Sequence, residues 1–134
     1  MSDIIHITYC SKEKNIMKAD DSKLFLPSEL YTSSRVQNFI EYCKKNKYLW
    51  AIFSDYYGIV FEDETIEWYD KSPDLVTDKD YECLMLSSLQ KLQQYNQVVF
   101  YYKNETFHQI YKRFVVDLQK SKTVVLINKL KNND

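Results

Sequence analysis

Four short apolar runs, separated by amphipathic helical stripes, predict an α/β domain: three α/β/α layers around a mainly parallel four-stranded sheet, strand order 2-1-3-4. Two further observations carry this reading. The runs lack the polar alternation of a half-exposed sheet, so they belong to strands covered on both faces. Each of the first three is followed by enough chain for a right-handed crossover, which places helices on each side. The 134 residues contain no repeat and no low-complexity segment, so 1–134 is read as a single domain.

The elements follow in order. Residues 4–9 (IIHITY) are apolar and β-branched, the first buried strand. Val36, Phe39, Ile40 and Cys43 recur at helical spacing and predict a helix over 34–45. Thr32, Ser33 and Ser34 offer N-caps, and Lys44, Lys45 and Lys47 suit its negative C-terminal end. Residues 49–54 (LWAIFS) form the second strand. Tyr81, Leu84, Met85, Leu89 and Leu92 share a face of a helix over 78–95, with Thr77 as its cap. Residues 97–102 (QVVFYY) are the third strand. Phe107, Ile110, Tyr111, Phe114, Val115 and Leu118 then make the cleanest helical stripe, with Asn104 available as its cap. Residues 123–128 (TVVLIN) are the fourth strand, and 129–134 a polar tail.

Composition narrows the function classes. Hydrophobic residues at 45% and charged residues at 28% are ordinary globular material. The 18 basic and 19 acidic residues nearly cancel, so there is no global attraction for nucleic acid or an anionic membrane, and only a local basic site stays open. Cys10, Cys43 and Cys83 fit neither a disulfide framework nor a zinc pattern, which suits reduced thiols in a cytoplasmic protein. The chain opens without a signal-peptide pattern, and no apolar run approaches the roughly 20 residues of a bilayer span. Neither a metal nor a cofactor is expected. The twelve tyrosines and the lysine excess match a biased genome better than a stacking platform. Gly58 is the lone glycine, which points to a backbone position that tolerates no side chain.

Loop length locates the site. Connections in such folds usually take two to six residues. Residues 10–33 and 55–77 are far longer, and both leave the carboxyl ends of parallel strands, the edge where ligands bind. The first opens with Cys10-Ser11-Lys12-Glu13-Lys14. Lysine there can neutralise a phosphate or, desolvated, act as a nucleophile, although a lysine-rich loop is also what a solvated surface looks like. Cys10, at a strand end, reads as packed support for a pocket floor. The second opens with Ser54-Asp55-Tyr56-Tyr57-Gly58 and continues to Glu62-Asp63-Glu64 and Asp70. Adjacent acids can bind metal or transfer protons, or simply form a solvated edge. Asp70 either accepts a ligand hydrogen bond or caps a turn. His6 reads as a packed histidine, and His108 lies beside the last helical stripe.

Taken in order, Cys10-Ser11-Lys12-Glu13-Lys14, Leu30-Tyr31-Thr32-Ser33-Ser34, Trp50 to Ser54, Tyr57-Gly58-Ile59-Val60 and Tyr69-Asp70 resemble a family of small uncharacterised proteins. Its pattern is a CSKxK start, an LYxS segment, a W-x-I-L-S-x-x-Y-G-L-V strand and loop, and a PYD-like end. The resemblance covers about residues 4–118, and the family looks related to the catalytic core of archaeosine synthase, of uracil-DNA-glycosylase-like fold. The related motif, PCSxxKPYxxSxSH, is matched by Cys10, Ser11 and Lys14, and Tyr31 and Ser34 keep its Y-x-x-S spacing. Tyr9 replaces the proline and the histidine has no counterpart.

What the resemblance implies is a protein directed at a nucleobase or nucleotide, an enzyme or subunit in the modification of tRNA or DNA bases, with transferase or lyase/amidino-type chemistry. Lys14 and Asp70 would be the catalytic residues. Ser11, Lys12, Tyr31, Ser34, Ser54, Tyr57 and Gly58 would bind the ligand. A further reading is a small subunit whose site is completed by another chain; a partner subunit or a homodimer stays open, and no membrane contact is expected. The alternative is a non-catalytic module binding nucleic acid or nucleotides through the lysines of the first loop.

Overall fold

The computed structural model describes residues 3–15 and 23–128. Residues 16–22 of the first long connection and the tail expected over 129–134 lie outside the described residues. The chain runs through β1 (Ile4–Tyr9), β2 (Leu24–Phe25), α1 (Pro27–Leu30), α2 (Ser34–Asn46), β3 (Trp50–Ser54), β4 (Gly58–Phe61) and β5 (Ile66–Glu67). It continues with α3 (Asp78–Lys91), β6 (Gln97–Tyr102), α4 (Gln109–Leu118) and β7 (Thr123–Asn128).

The main sheet has the order β4-β3-β1-β6-β7. β3, β1, β6 and β7 are mutually parallel, in the order expected for the four apolar runs. The expected strand count is corrected from four to five, because β4 folds back antiparallel on β3, with Ser54 opposite Gly58. Its four residues were hidden inside a long connection. A three-residue turn makes it a hairpin: Ser54 Oγ accepts the Tyr56 and Tyr57 N–H groups at 3.0 Å each, and Gly58 leaves the turn at φ +78°. β2 and β5 form a separate antiparallel pair.

Alternation along the strands sends side chains to two packed faces. On one, Phe39 of α2 meets Trp50 and Tyr101 edge-on, with ring centroids 6.2 and 5.1 Å apart. On the other, Phe114 of α4 stacks on Phe53 at 3.8 Å and tilts against Phe100. α3 lies along β4, where Ser88 Oγ accepts the Ile59 N–H and Lys91 donates to the Ile59 carbonyl. His6 is packed, as its place in a strand implies, stacked on Tyr48 at 4.0 Å with Nδ1 2.7 Å from the Tyr101 hydroxyl.

The helix ends follow local chemistry. Ser33 caps α2, and Thr77 caps α3 in a reciprocal box with Asp80. Two expectations shift. α3 stops at Lys91 rather than near 95, where the chain turns towards β6. α4 is capped by His108 rather than Asn104, which instead opens a short 3₁₀ turn over Asn104–Thr106.

Candidate functional site

A cleft of about 710 Å³ opens at the carboxyl ends of β1, β3 and β6. The chain winds from β1 to β3 on one side and then crosses back to β6 on the other, so the cleft sits where the winding reverses, the usual ligand position of an open α/β sheet. Residues 10–14 after β1, Asp55 after β3 and residues 103–108 after β6 form much of its wall. Ser33 to Arg35 at the start of α2, and Asp70 to Pro73, complete it.

The loop after β1 is held by backbone bonds. Lys14 forms a single antiparallel bridge with Tyr31, flanked by Asn15 N–H to the Leu30 carbonyl at 2.7 Å and Thr32 N–H to the Glu13 carbonyl at 3.1 Å. Ser11 Oγ closes the turn on the Glu13 carbonyl. The Lys14 ammonium then lies 4.5 Å from the centre of the Tyr69 ring, a cation–π seat. Beneath it, Tyr69 OH takes a hydrogen bond from Ser54 Oγ at 3.0 Å and sits 2.6 Å from Tyr31 OH. Burial pushes both phenols up, so this layer stays neutral and supports the lysine through the ring face and hydrogen bonds.

At the floor, the Cys10 thiol donates to Asp55 Oδ1 at 3.6 Å and lies 3.4 Å from Tyr111 OH. Burial, then the Asp55 charge, raises the thiol, which makes Cys10 a poor nucleophile. Burial also raises the Asp55 carboxyl, while the Cys10 hydrogen bond and the charges of Lys14 and Lys71 pull it back. Only 2% of Asp55 is exposed, so the cleft contains a nearly dehydrated carboxyl close to two lysines. Such a group can exchange a proton with whatever occupies the cleft.

Arg35 reaches back from α2 and ties the wall together. It donates to Thr8 Oγ1 at 2.9 Å and to the Tyr9 and Cys10 carbonyls at 2.9 and 2.8 Å, with its guanidinium 3.9 Å over the Tyr9 ring. Tyr9 in turn stacks on Tyr111 at 4.6 Å and on Phe107 at 5.7 Å. Across the cleft, His108 accepts the Ile110 N–H on Nδ1, so Nε2 carries the hydrogen that meets Asp74 Oδ1 at 2.7 Å.

Of the residues singled out from sequence, Ser11, Lys12, Lys14, Ser34 and Asp70 line the cleft together, with Cys10 at its floor. Tyr31 and Ser54 lie in the buried layer under Lys14. Tyr57 and Gly58 are outside the lining. Tyr57 OH donates to the Glu67 carbonyl, and Gly58 faces Ser87 and Ser88 of α3. Glu64 belongs to the β4 turn, accepting from Phe61 N–H and Lys91. Sequence reasoning gave no role to Asp55 or Arg35. Each carried a signal: Asp55 directly follows a buried strand at the ligand edge, and Arg35 is a cation in a first helical turn.

Among the described residues no cluster of histidine, cysteine, aspartate and glutamate could hold a metal ion, and no helix is long and apolar enough to cross a membrane. Cys10, Cys43 and Cys83 are free thiols. No protein-family model, no curated protein and no solved structure matches the chain.

Proposed function

We propose that this chain is a nucleobase- or nucleotide-directed enzyme, or a subunit of one, acting in the base modification of tRNA or DNA, as its resemblance to the archaeosine synthase core implies. The observation that carries this is the cleft at the winding reversal. It gathers Lys14, Asp70, Ser11 and Lys12 beside the aromatic residues Tyr9, Phe107 and Tyr111. Of these three rings Phe107 keeps accessible surface for a flat base, Tyr9 and Tyr111 being buried against each other behind it, and lysines with a buried carboxyl supply both charge and proton transfer. The finer likeness, a three-layer uracil-DNA-glycosylase-like fold, belongs to the same proposal and is supported by helices touching both faces of the sheet.

In this reading Lys14 is the group that engages the base, held at reach by Tyr69. Asp55 and Asp70 are the carboxyls available for proton transfer. Cys10 is structural. The test is a panel of nucleosides and unmodified tRNA titrated against the wild-type chain and Lys14→Ala. Turnover or adduct formation lost in the variant, with binding kept, is the expected result. Binding without any chemistry, weakening steeply with salt, would identify a non-catalytic module instead. No nucleoside or tRNA binding at all would end the reading.

A further inference from the structure

We infer that the cleft takes a phosphate ester of its ligand on Arg35, the anion supplying the counter-charge this guanidinium lacks. The inference rests on the nucleotide reading of the cleft and adds the place of the charged end.

Arg35 lies in the first turn of α2, a 13-residue helix with no acidic residue in that turn. A helix N-terminus favours carboxylates and opposes cations, so the guanidinium sits against the helix dipole. Burial pulls its pKa below the usual arginine range, the sign of lost hydration. Arg35 is partly buried, and a charge withdrawn from water is normally paired. Yet Arg35 forms no ion pair among the described residues. The groups whose charge would favour it are Tyr9, Cys10 and Tyr111, followed by Glu13. Burial holds the Cys10 thiol and the Tyr111 phenol in their neutral forms, and Glu13 forms no ion pair with Arg35.

Its contacts are to neutral oxygens: Thr8 Oγ1 and the carbonyls of Tyr9 and Cys10. These use three of the five N–H donors of a guanidinium and leave two for another acceptor. The stacking on Tyr9 fixes the group, so little rotamer freedom is left to lose on binding. Arg35 lines the cleft, and Lys12 and Lys103 line it too. More than one cation around a fixed guanidinium suits a phosphate better than a single carboxylate. The cleft's carboxyls are Glu13, next to Lys12 in the first loop, and Asp55, Asp70 and Glu105 from other segments. Lys14, seated over Tyr69, is then left for the base rather than the phosphate.

The test compares each of the common nucleosides with its 5′-monophosphate on the full chain, by calorimetry and by the Arg35 Nε–H resonance. Inorganic phosphate and a short single-stranded RNA are run in parallel. The expected result is monophosphate binding about tenfold or more tighter than nucleoside binding. That gain, read as the ratio of monophosphate to nucleoside affinity within each protein, should vanish in Arg35→Gln and shrink in Arg35→Lys. Denaturation midpoints of both variants identify any loss of fold, and the wild-type comparison stands without them. RNA that binds while monophosphates do not, with Arg35→Gln sensitivity, assigns a backbone phosphate and supports the inference. Inorganic phosphate that shifts the Arg35 resonance, in a protein that binds no nucleoside, keeps this inference and removes the base reading. Equal affinity for nucleoside and monophosphate, or a phosphate gain that survives Arg35→Gln, overturns it.

Discussion

An alanine at position 58 would bring its Cβ to 3.0 Å from Ser88 Oγ and 3.1 Å from Ser87 Oγ, on a backbone at φ +78°. Both the clash and the left-handed backbone penalise a side chain. Gly58→Ala is therefore expected to lower stability by about 1–3 kcal/mol in a denaturant melt. Ligand binding should be untouched in whatever fraction stays folded, because the glycine faces α3 and not the cleft. A second residue-scale consequence concerns acid. Burial lowers His6 from 6.5 to about 4 in the folded chain. The unfolded chain takes up this proton below about pH 6.5, the folded chain only near 4, so stability falls as pH drops between those values. Allowing for partial solvent screening, the loss from this one group is about 2 kcal/mol. Denaturant midpoints at pH 7 and 4.5 measure it, and His6→Gln should flatten that part of the profile. An unchanged slope in the variant would assign the acid sensitivity elsewhere.

Among the elements, α4 shows how a stripe becomes a core. Its apolar positions recur at helical spacing, and Phe114, fully buried, stacks on Phe53 of β3. Phe114→Ala leaves a void between the helix and the sheet and should cost about 3–5 kcal/mol. A change below 1 kcal/mol would mean that the helix does not depend on this contact. Elements of this kind were legible from sequence because period and burial agree: α2, α4 and the four parallel strands all lie close to their expected bounds. β4 was not. Gly58-Ile59-Val60-Phe61 is four residues long and has no apolar run before it, so only the Ser54 turn and the antiparallel pairing define it. The shift of the α4 cap has a similar cause. Asn104 is the better cap by residue type, but Phe107 packs against Tyr9 and Tyr102, which delays the helix until His108.

Across the whole molecule, the cleft was legible through topology and not through chemistry. Long connections at the carboxyl ends of two parallel strands marked the edge where the cleft opens, and the CSKEK loop lies there. Arg35 and Asp55 carried only positional signals, because their importance depends on what surrounds them: an arginine with no ion pair among the described residues, and a carboxyl nearly withdrawn from water. Local spacing records neither.

The same strand order governs how the chain can assemble. β1 is the central strand, paired on one side with β3 and on the other with β6, where Ile4 meets Gln97 and Thr8 meets Tyr101. The first strand synthesised must wait for nearly the last before its second edge is closed. Such long-range parallel pairing is slow, since the loop entropy is lost before the contacts form. Refolding from denaturant should accordingly take milliseconds to seconds, and a microsecond relaxation of the whole sheet would contradict this. On the ribosome, a nascent chain that ends before β6 carries β1 with one edge unsatisfied and its apolar side chains partly uncovered. Such fragments should stick to one another and attract chaperones, whereas chains extended through β6 and α4 should not.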